Sequence, residues 1–330
     1  MRRKSKFIGA LRLYLEAKRL AGKDVEIKLS CLFSLGDVYR MTGEFGQARK
    51  FYKEAHRLSR ALKRDTDSTD ALVGLGLSLR ATGRFKEALR LFDRALVAYC
   101  AGKDAAGQAF TLWAKAGALR IQGDVKEAIE TFKKSKRLFE RLKDPAGVGY
   151  SLTGLGGASR VAGRYGASWM YYSLANSLFK ESRDTFGVAY SYCGMANSLR
   201  MREKFRESLE YFKKAAANYK KIGDRVSYAY TLWAEGTAHH MLGESKAAGR
   251  NFKKAERLFK KTKDPRGIIY CMIGTGQIEF KRGGKRKAAA ILKTALKKAS
   301  LCGFKTEKGY AEKVLDAIEK NPERVPLNLA

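Results

Sequence analysis

LSCLFSLGDVYRMTGEFGQARKFYKEA, residues 29–55, is one copy of a pattern that returns seven times at a spacing of forty residues. Its loop glycine, Gly43, stands in register with Gly83, Gly123, Gly163, Gly243 and Gly283, and Glu203 fills the one slot without a glycine. A fixed period in this range marks a solenoid, because each unit carries an apolar face that it cannot bury alone and must stack on its neighbours.

The other columns describe the unit. A small residue recurs at Gly36, Gly76, Ala116, Gly156, Ala196, Gly236 and Gly276, and a second small column runs Ala48, Ala88, Ala128, Ser168, Ser208, Ala248, Ala288. A large apolar group follows at Tyr52, Phe92, Phe132, Tyr172, Phe212, Phe252 and Leu292, and then Ala55, Ala95, Ser135, Ala175, Ala215, Ala255 and Ala295. Steps of three and four place these groups on one helical face. Small residues opposite large ones let two antiparallel helices approach and interdigitate. Asp104, Asp144, Asp184, Asp224 and Asp264 mark where first helices begin, with Pro145 and Pro265 directly after two of them. Aspartate at the N-cap and proline at the first helical position satisfy or avoid the orphan amides there. The glycine column ends that first helix in the left-handed conformation.

Leu32, Leu35, Gly36, Tyr39, Ala48, Tyr52 and Ala55, in that order, resemble the tetratricopeptide repeat pattern, and the other units match with scatter. The usual unit has about 34 residues, so forty implies longer helices. With its Lys143-Asp144-Pro145 punctuation the unit is similar to the repeats of Pins-type cell-polarity adaptors. The resemblance implies an all-α, right-handed α-solenoid of tandem helix-turn-helix repeats, used as a binding scaffold for many kinds of partner.

The array has expected ends. Phe7, Ala10, Tyr14, Ala17 and Leu20 reproduce Phe45, Ala48, Tyr52, Ala55 and Leu58 at a constant offset, so residues 1–22 read as a half-repeat capping helix. Seven repeats fill 23–303, a capping helix carrying Tyr310, Val314 and Leu315 fills 304–321, and 322–330 reads as an untethered tail after Asn321-Pro322.

Composition sets further bounds. The 330 residues carry 67 Lys and Arg against 33 Asp and Glu, a formal net charge of +34, with 45% hydrophobic residues. Cys31, Cys100, Cys193, Cys271 and Cys302 show no paired spacing and read as free, buried thiols of a reducing, cytoplasmic setting. No apolar run approaches a membrane span, and the basic N-terminus, interrupted by Arg12 and Glu16, reads as a folded cap rather than a signal peptide. His56, His239 and His240 belong to no catalytic or metal-binding arrangement, so neither an enzyme nor a cofactor or metal site is expected.

In the family the first helix lines the concave groove. Carried onto this register, its twelfth position reads Arg40, Arg80, Arg120, Arg160 and Arg200, then His240 and Phe280. Its second position reads Ser30, Asp70, Phe110, Tyr150, Tyr190, Tyr230 and Tyr270. At about 10 Å between equivalent side chains, neighbouring arginines repel by about 0.4 kcal/mol in water and about 1.7 kcal/mol at an intermediate dielectric. Such a row is tolerable if acids in the protein neutralise it or if an anionic ligand meets it; the groove positions offer few carboxylates, mainly Asp37 and Asp70, so Arg120, Arg160 and Arg200 are the expected centre of an anion-recognising groove. Each arginine also sits in a last helical turn, where a cation complements the macrodipole without any ligand. The tyrosines similarly fit packing against the preceding repeat.

Trp113 and Trp233 share the fifth position in two Leu-Trp-Ala segments and are candidate anchors or core residues. Lys115 and Glu235 occupy the seventh, normally apolar position, which implies a rotated register or heads that snorkel outward. Asn197 alone supplies asparagine at the ninth position, and the fifth column holds no lysine, unlike the family's terminal-carboxylate clamps. The lysines of the second helices, such as Lys213, Lys214, Lys253 and Lys254, belong to the convex side. Two function classes result: an adaptor holding an acidic peptide segment of a protein partner, or a single-stranded RNA binder with arginines on phosphates and tyrosines stacking bases. Docking to anionic lipid through the convex lysines is a weaker third, and self-association through the array ends is compatible with either.

Overall fold

A computed structural model describes residues 7–320 and 328–329. Among them run sixteen α-helices and no strand: α1 (Phe7–Leu20), α2 (Val25–Met41), α3 (Phe45–Ala61), α4 (Asp65–Ala81), α5 (Phe85–Ala101), α6 (Ala105–Gln122), α7 (Val125–Arg141) and α8 (Pro145–Val161). The second half continues with α9 (Tyr165–Glu181), α10 (Thr185–Met201), α11 (Phe205–Ile222), α12 (Arg225–Met241), α13 (Ser245–Lys261), α14 (Pro265–Lys281), α15 (Lys285–Cys302) and α16 (Lys305–Lys320). Each helix packs on the next, and each even-numbered helix from α2 to α16 also touches the following even-numbered one, the side-by-side stacking of an α-solenoid.

Local chemistry sets the boundaries. Asp104, Asp144, Asp184, Asp224 and Asp264 each accept a hydrogen bond from the amide three residues on, at 2.8–3.1 Å. The loop glycines are left-handed, with φ of 85° at Gly43 and 105° at Gly123, and Glu203 takes the same conformation at 61°. A second left-handed series, Lys63, Lys103, Lys143, Arg183, Gly223, Lys263 and Gly303, falls midway between. Both kinds of interhelical link therefore use the same left-handed exit, mostly glycine in the first series and mostly lysine in the second.

The large-residue column fills the gap between three helices. A β-carbon on Gly36 would stand 2.7 Å from the Tyr52 ring, and one on Gly74, in the next repeat, 2.3 Å from it. Tyr172 is held in the same way between Gly156 and Gly194. Close packing of this kind is what makes each repeat depend on its neighbour.

The superhelix is wound tightly enough for its turns to touch. A β-carbon on Gly43 would meet Thr262 Cγ2 at 2.4 Å, and Gly83 faces the Phe304 ring. Phe85 and Phe304 make an edge-on contact with centroids 5.5 Å apart, and Lys305 Nζ reaches Asp124 Oδ1 at 2.9 Å. Gly163, Gly243 and Gly283 have no such neighbour. The loops of the early repeats thus lie on the connectors of the late ones.

Two expectations are corrected. Cys100 is exposed, because it sits on the outward face at the end of α5, whereas Cys31 and Cys271 are buried and all five thiols are free. Of the expected tail, residues 322–327 and 330 lie outside the described residues, but Asn328 and Leu329 are tied into the concave face rather than untethered.

Candidate binding groove

Arg80, Arg120 and Arg200 each reach towards the first helix of the next repeat, onto Gly117, Gly157 and Trp233. Arg40 faces Asp37 at 3.5 Å. Arg80 Nη1 donates to the Ala114 carbonyl at 3.3 Å, over Gly117, where a β-carbon would stand 2.4 Å from it. Arg120 lies beside Gly157 in the same manner, its Nη1 3.4 Å from the place of a β-carbon. Glycine in the ninth position of two repeats therefore makes room for the preceding guanidinium, a signal present in the sequence that the column pattern alone did not expose. Arg120 Nε and both Nε and Nη1 of Arg160 are buried without a hydrogen-bond partner among the described residues.

Burial without acids depresses these cations. Arg80 is pushed down to about 10 by burial, then by Arg40 and Arg120, and Arg200 to about 9 by burial and then by Arg160. The like-charge coupling expected along the row is present, and among the described residues Arg40 alone is paired with a carboxylate.

The tryptophans serve as platforms for the arginines. Arg80 lies 5.8 Å from the Trp113 ring centroid and Arg200 5.7 Å from that of Trp233. Trp113 is half-buried and donates from Nε1 to the Tyr150 carbonyl at 3.1 Å. Trp233 is only 9% exposed and stacks on Tyr270 with centroids 4.2 Å apart. Lys115 snorkels, as its spacing allowed, reaching Asp93 of α5 at 2.7 Å.

The tyrosine row ties repeats together. Tyr150 donates its hydroxyl to the N-cap carboxylate of Asp184, and Tyr230 to that of Asp264 at 2.9 Å. Their rings pack on Phe179 and Phe259 with centroids 4.8 and 4.7 Å apart. Tyr190 stacks on Phe186. An aspartate that caps a helix thus also receives the hydroxyl of the preceding repeat's tyrosine.

Arg200 and Asn197 are brought together at the far end of the row. Arg200 Nη2 donates to Asn197 Oδ1 at 3.2 Å, and Asn197 Nδ2 donates to the Cys193 carbonyl at 2.9 Å. Arg200 also donates to Asn328 Oδ1 and, at 3.0 Å, to the Leu329 carbonyl. Residues 328 and 329 were missed as site residues, their only signal being an apolar Val-Pro-Leu-Asn-Leu run where a solvated tail should be polar.

Among the described residues no group of three or more His, Cys, Asp or Glu is placed to hold a metal ion, and no helix is long and apolar enough to cross a membrane.

A family model described as tetratricopeptide repeat matches residues 67–141 and 187–261. Among solved structures, the Rap conjugation gene regulator of plasmid pLS20 in complex with the Phr* peptide superimposes with a TM-score of 0.71 at 14% identity, over 86% of this chain and 76% of that one. A Rap protein complexed with Competence and Sporulation Factor gives 0.63 at 11% identity, covering 91% of this chain and 77% of that one. A tetratricopeptide repeat protein from Parabacteroides merdae gives 0.51 at 16% identity, covering 88% and 99%. No curated protein matches the sequence significantly. Residues 67–141 and 187–261 thus carry tetratricopeptide repeats, and the same columns run through and between them in one all-α solenoid.

Proposed function

We infer that the protein is a non-enzymatic adaptor that holds an extended peptide segment of a partner in its concave groove, with acidic side chains of that segment meeting Arg120 and Arg160. The observation that carries this is the set of buried nitrogens without a partner among the described residues, Arg120 Nε and Arg160 Nε and Nη1, a state that Arg40 Nε and Arg200 Nε share, in a row where, among the described residues, Arg40 alone faces a carboxylate, that of Asp37. A buried cation with unpaired donors costs free energy, and a peptide carboxylate offsets it through charge-assisted bonds. The complex of the similarly folded Rap conjugation gene regulator with the Phr* peptide supports a peptide as the occupant. The single-stranded RNA alternative needs free aromatic faces for stacking, and the packing of Tyr150 on Phe179 and Tyr230 on Phe259 favours the peptide.

The test is selection from a random decapeptide display library on the wild-type protein and on an Arg120→Glu/Arg160→Glu variant of unchanged helical circular dichroism. Wild type should enrich peptides carrying Asp or Glu, and the variant should retain none of them. Identical selections from both proteins, or none from either, would overturn the reading.

A further inference from the structure

Arg200 is the one member of the row that is completely covered, at 0% exposure, and residues 328 and 329 cover it. Asn328 Oδ1 accepts from Arg200 Nη1, while Asn328 Nδ2 donates at 2.9 Å to the carbonyl oxygen of Arg200 itself. One planar group thus accepts from the side chain and donates to the main chain of the same residue. A carboxamide does both in its ordinary state at neutral pH, which a carboxylate cannot. The orientation of the amide is fixed by these partners, since exchanging its O and N would set NH₂ against the guanidinium and oxygen against oxygen. The Leu329 carbonyl takes a further donor of Arg200 at 3.0 Å, and the residue borders a small cavity walled by Trp233, Thr237, Tyr270, Ile273 and Gln277.

We propose that the Arg200–Asn197 corner, with its Trp233–Tyr270–Ile273 wall, is a recognition subsite for an extended peptide bearing a carboxamide side chain followed by an aliphatic one, and that Asn328-Leu329 fill it in cis until a partner displaces them. The proposal rests on the concave face being a peptide groove. It differs from the middle of the row in the chemistry it selects. Aspartate in place of asparagine would gain at the guanidinium but set a carboxylate oxygen against the Arg200 carbonyl. Alanine would take one acceptor from the buried guanidinium, which keeps Asn197 Oδ1 and the Leu329 carbonyl, and one of two donors from the Arg200 carbonyl, which keeps the Glu203 amide at 3.0 Å. Leucine adds apolar burial beside Trp233, so the two side chains are read by different walls. Being part of the same chain, the resident segment competes at a high effective concentration with any free ligand.

The test uses blocked, fluorescently labelled hexapeptides and two forms of the protein, the full chain and one lacking residues 322–330. The peptide Arg-Val-Pro-Leu-Asn-Leu, copied from residues 324–329, should bind the shortened protein at least tenfold more tightly than the full chain. Its Asn→Asp, Asn→Ala and scrambled versions should each bind the shortened protein at least tenfold more weakly than the copy. Trp233 emission should shift on shortening and return on adding the peptide, a readout that needs no Arg200 variant to fold. Equal binding to both proteins, or equal binding of the copied and scrambled peptides, would overturn the proposal. The display library selected on the shortened protein separates the two readings. Enrichment of acidic peptides that depend on Arg120 and Arg160, with no response to the copied peptide, would remove this subsite and leave the adaptor standing. No peptide of either kind would remove both.

Discussion

A β-carbon placed on Gly43 would stand 2.4 Å from Thr262 Cγ2, five and a half repeats further along the chain. The same column of glycine therefore has two physical meanings. At Gly163, Gly243 and Gly283 it supplies only a left-handed backbone, and at Gly43 it also lets two superhelical turns touch.

Gly163→Ala should cost about 1 kcal/mol, the strain of a left-handed alanine. Gly43→Ala should cost about 1–3 kcal/mol more, because overpacking at Thr262 adds to that strain. Urea midpoints of the two variants check this. Equal losses would mean that the turns do not touch in solution.

The buried pair of Arg266 and Glu307, Nε to Oε1 at 2.7 Å, locks α16 onto α14, with Glu307 at 0% side-chain exposure. Arg266 also reaches the Tyr270 hydroxyl at 2.9 Å. Glu307→Gln should destabilise by about 3 kcal/mol or more, since it leaves a buried cation unpaired. An Arg266→Met/Glu307→Leu double variant should recover much of the loss in thermal melts. A double variant no better than the single one would contradict that account.

His240 and Asp224, at opposite ends of α12, shift in opposite directions. Burial, then Lys281, pushes His240 down to about 4 from its ordinary 6.5, and burial pushes Asp224 up to about 6 from 3.8 despite its bonds to Ser227. For His240 the unfolded chain binds the proton first, so stability falls as pH drops from about 6.5 to 4. For Asp224 the folded chain binds it first, so stability rises as pH drops from about 6 to 3.8. Relative to wild type, His240→Phe should gain stability across this window and Asp224→Asn should lose it, each by about 2 kcal/mol at most. Denaturation midpoints at pH 6.5 and 4.5 read both signs, and slopes of the same sign in the two variants would contradict this account.

Glu203 holds a left-handed φ of 61° in the slot where the other repeats have glycine. Glu203→Gly should raise stability by about 0.5–1 kcal/mol through relief of that strain. A lower melting temperature for the variant would show that the glutamate side chain contributes more than its backbone costs.

Much of the architecture was legible in the sequence, for a physical reason. Gly36, Tyr52 and Ala55 meet across one hairpin and its neighbour, and Asp104 caps the helix it precedes, so local contacts repeated at a fixed period determine the solenoid from composition and spacing alone. The arginine row was legible as a row, because residues at one position of each unit must share one wall. The chemistry around it was less so. Trp113 and Trp233 turned out to support Arg80 and Arg200, and the Tyr150 and Tyr230 hydroxyls to bond the capping aspartates of the next repeat, because side-chain direction depends on packing that one-dimensional spacing does not contain.

The contacts that only the tertiary structure decided join residues far apart in the chain: Gly43 with Thr262, Phe85 with Phe304, and Arg200 with Asn328. The pitch of the superhelix sums small rotations over every repeat, and no single unit encodes it. A repeat fixes its neighbour from sequence, whereas the meeting of successive turns, and the filling of the groove by Asn328 and Leu329, arise only once the whole array is wound.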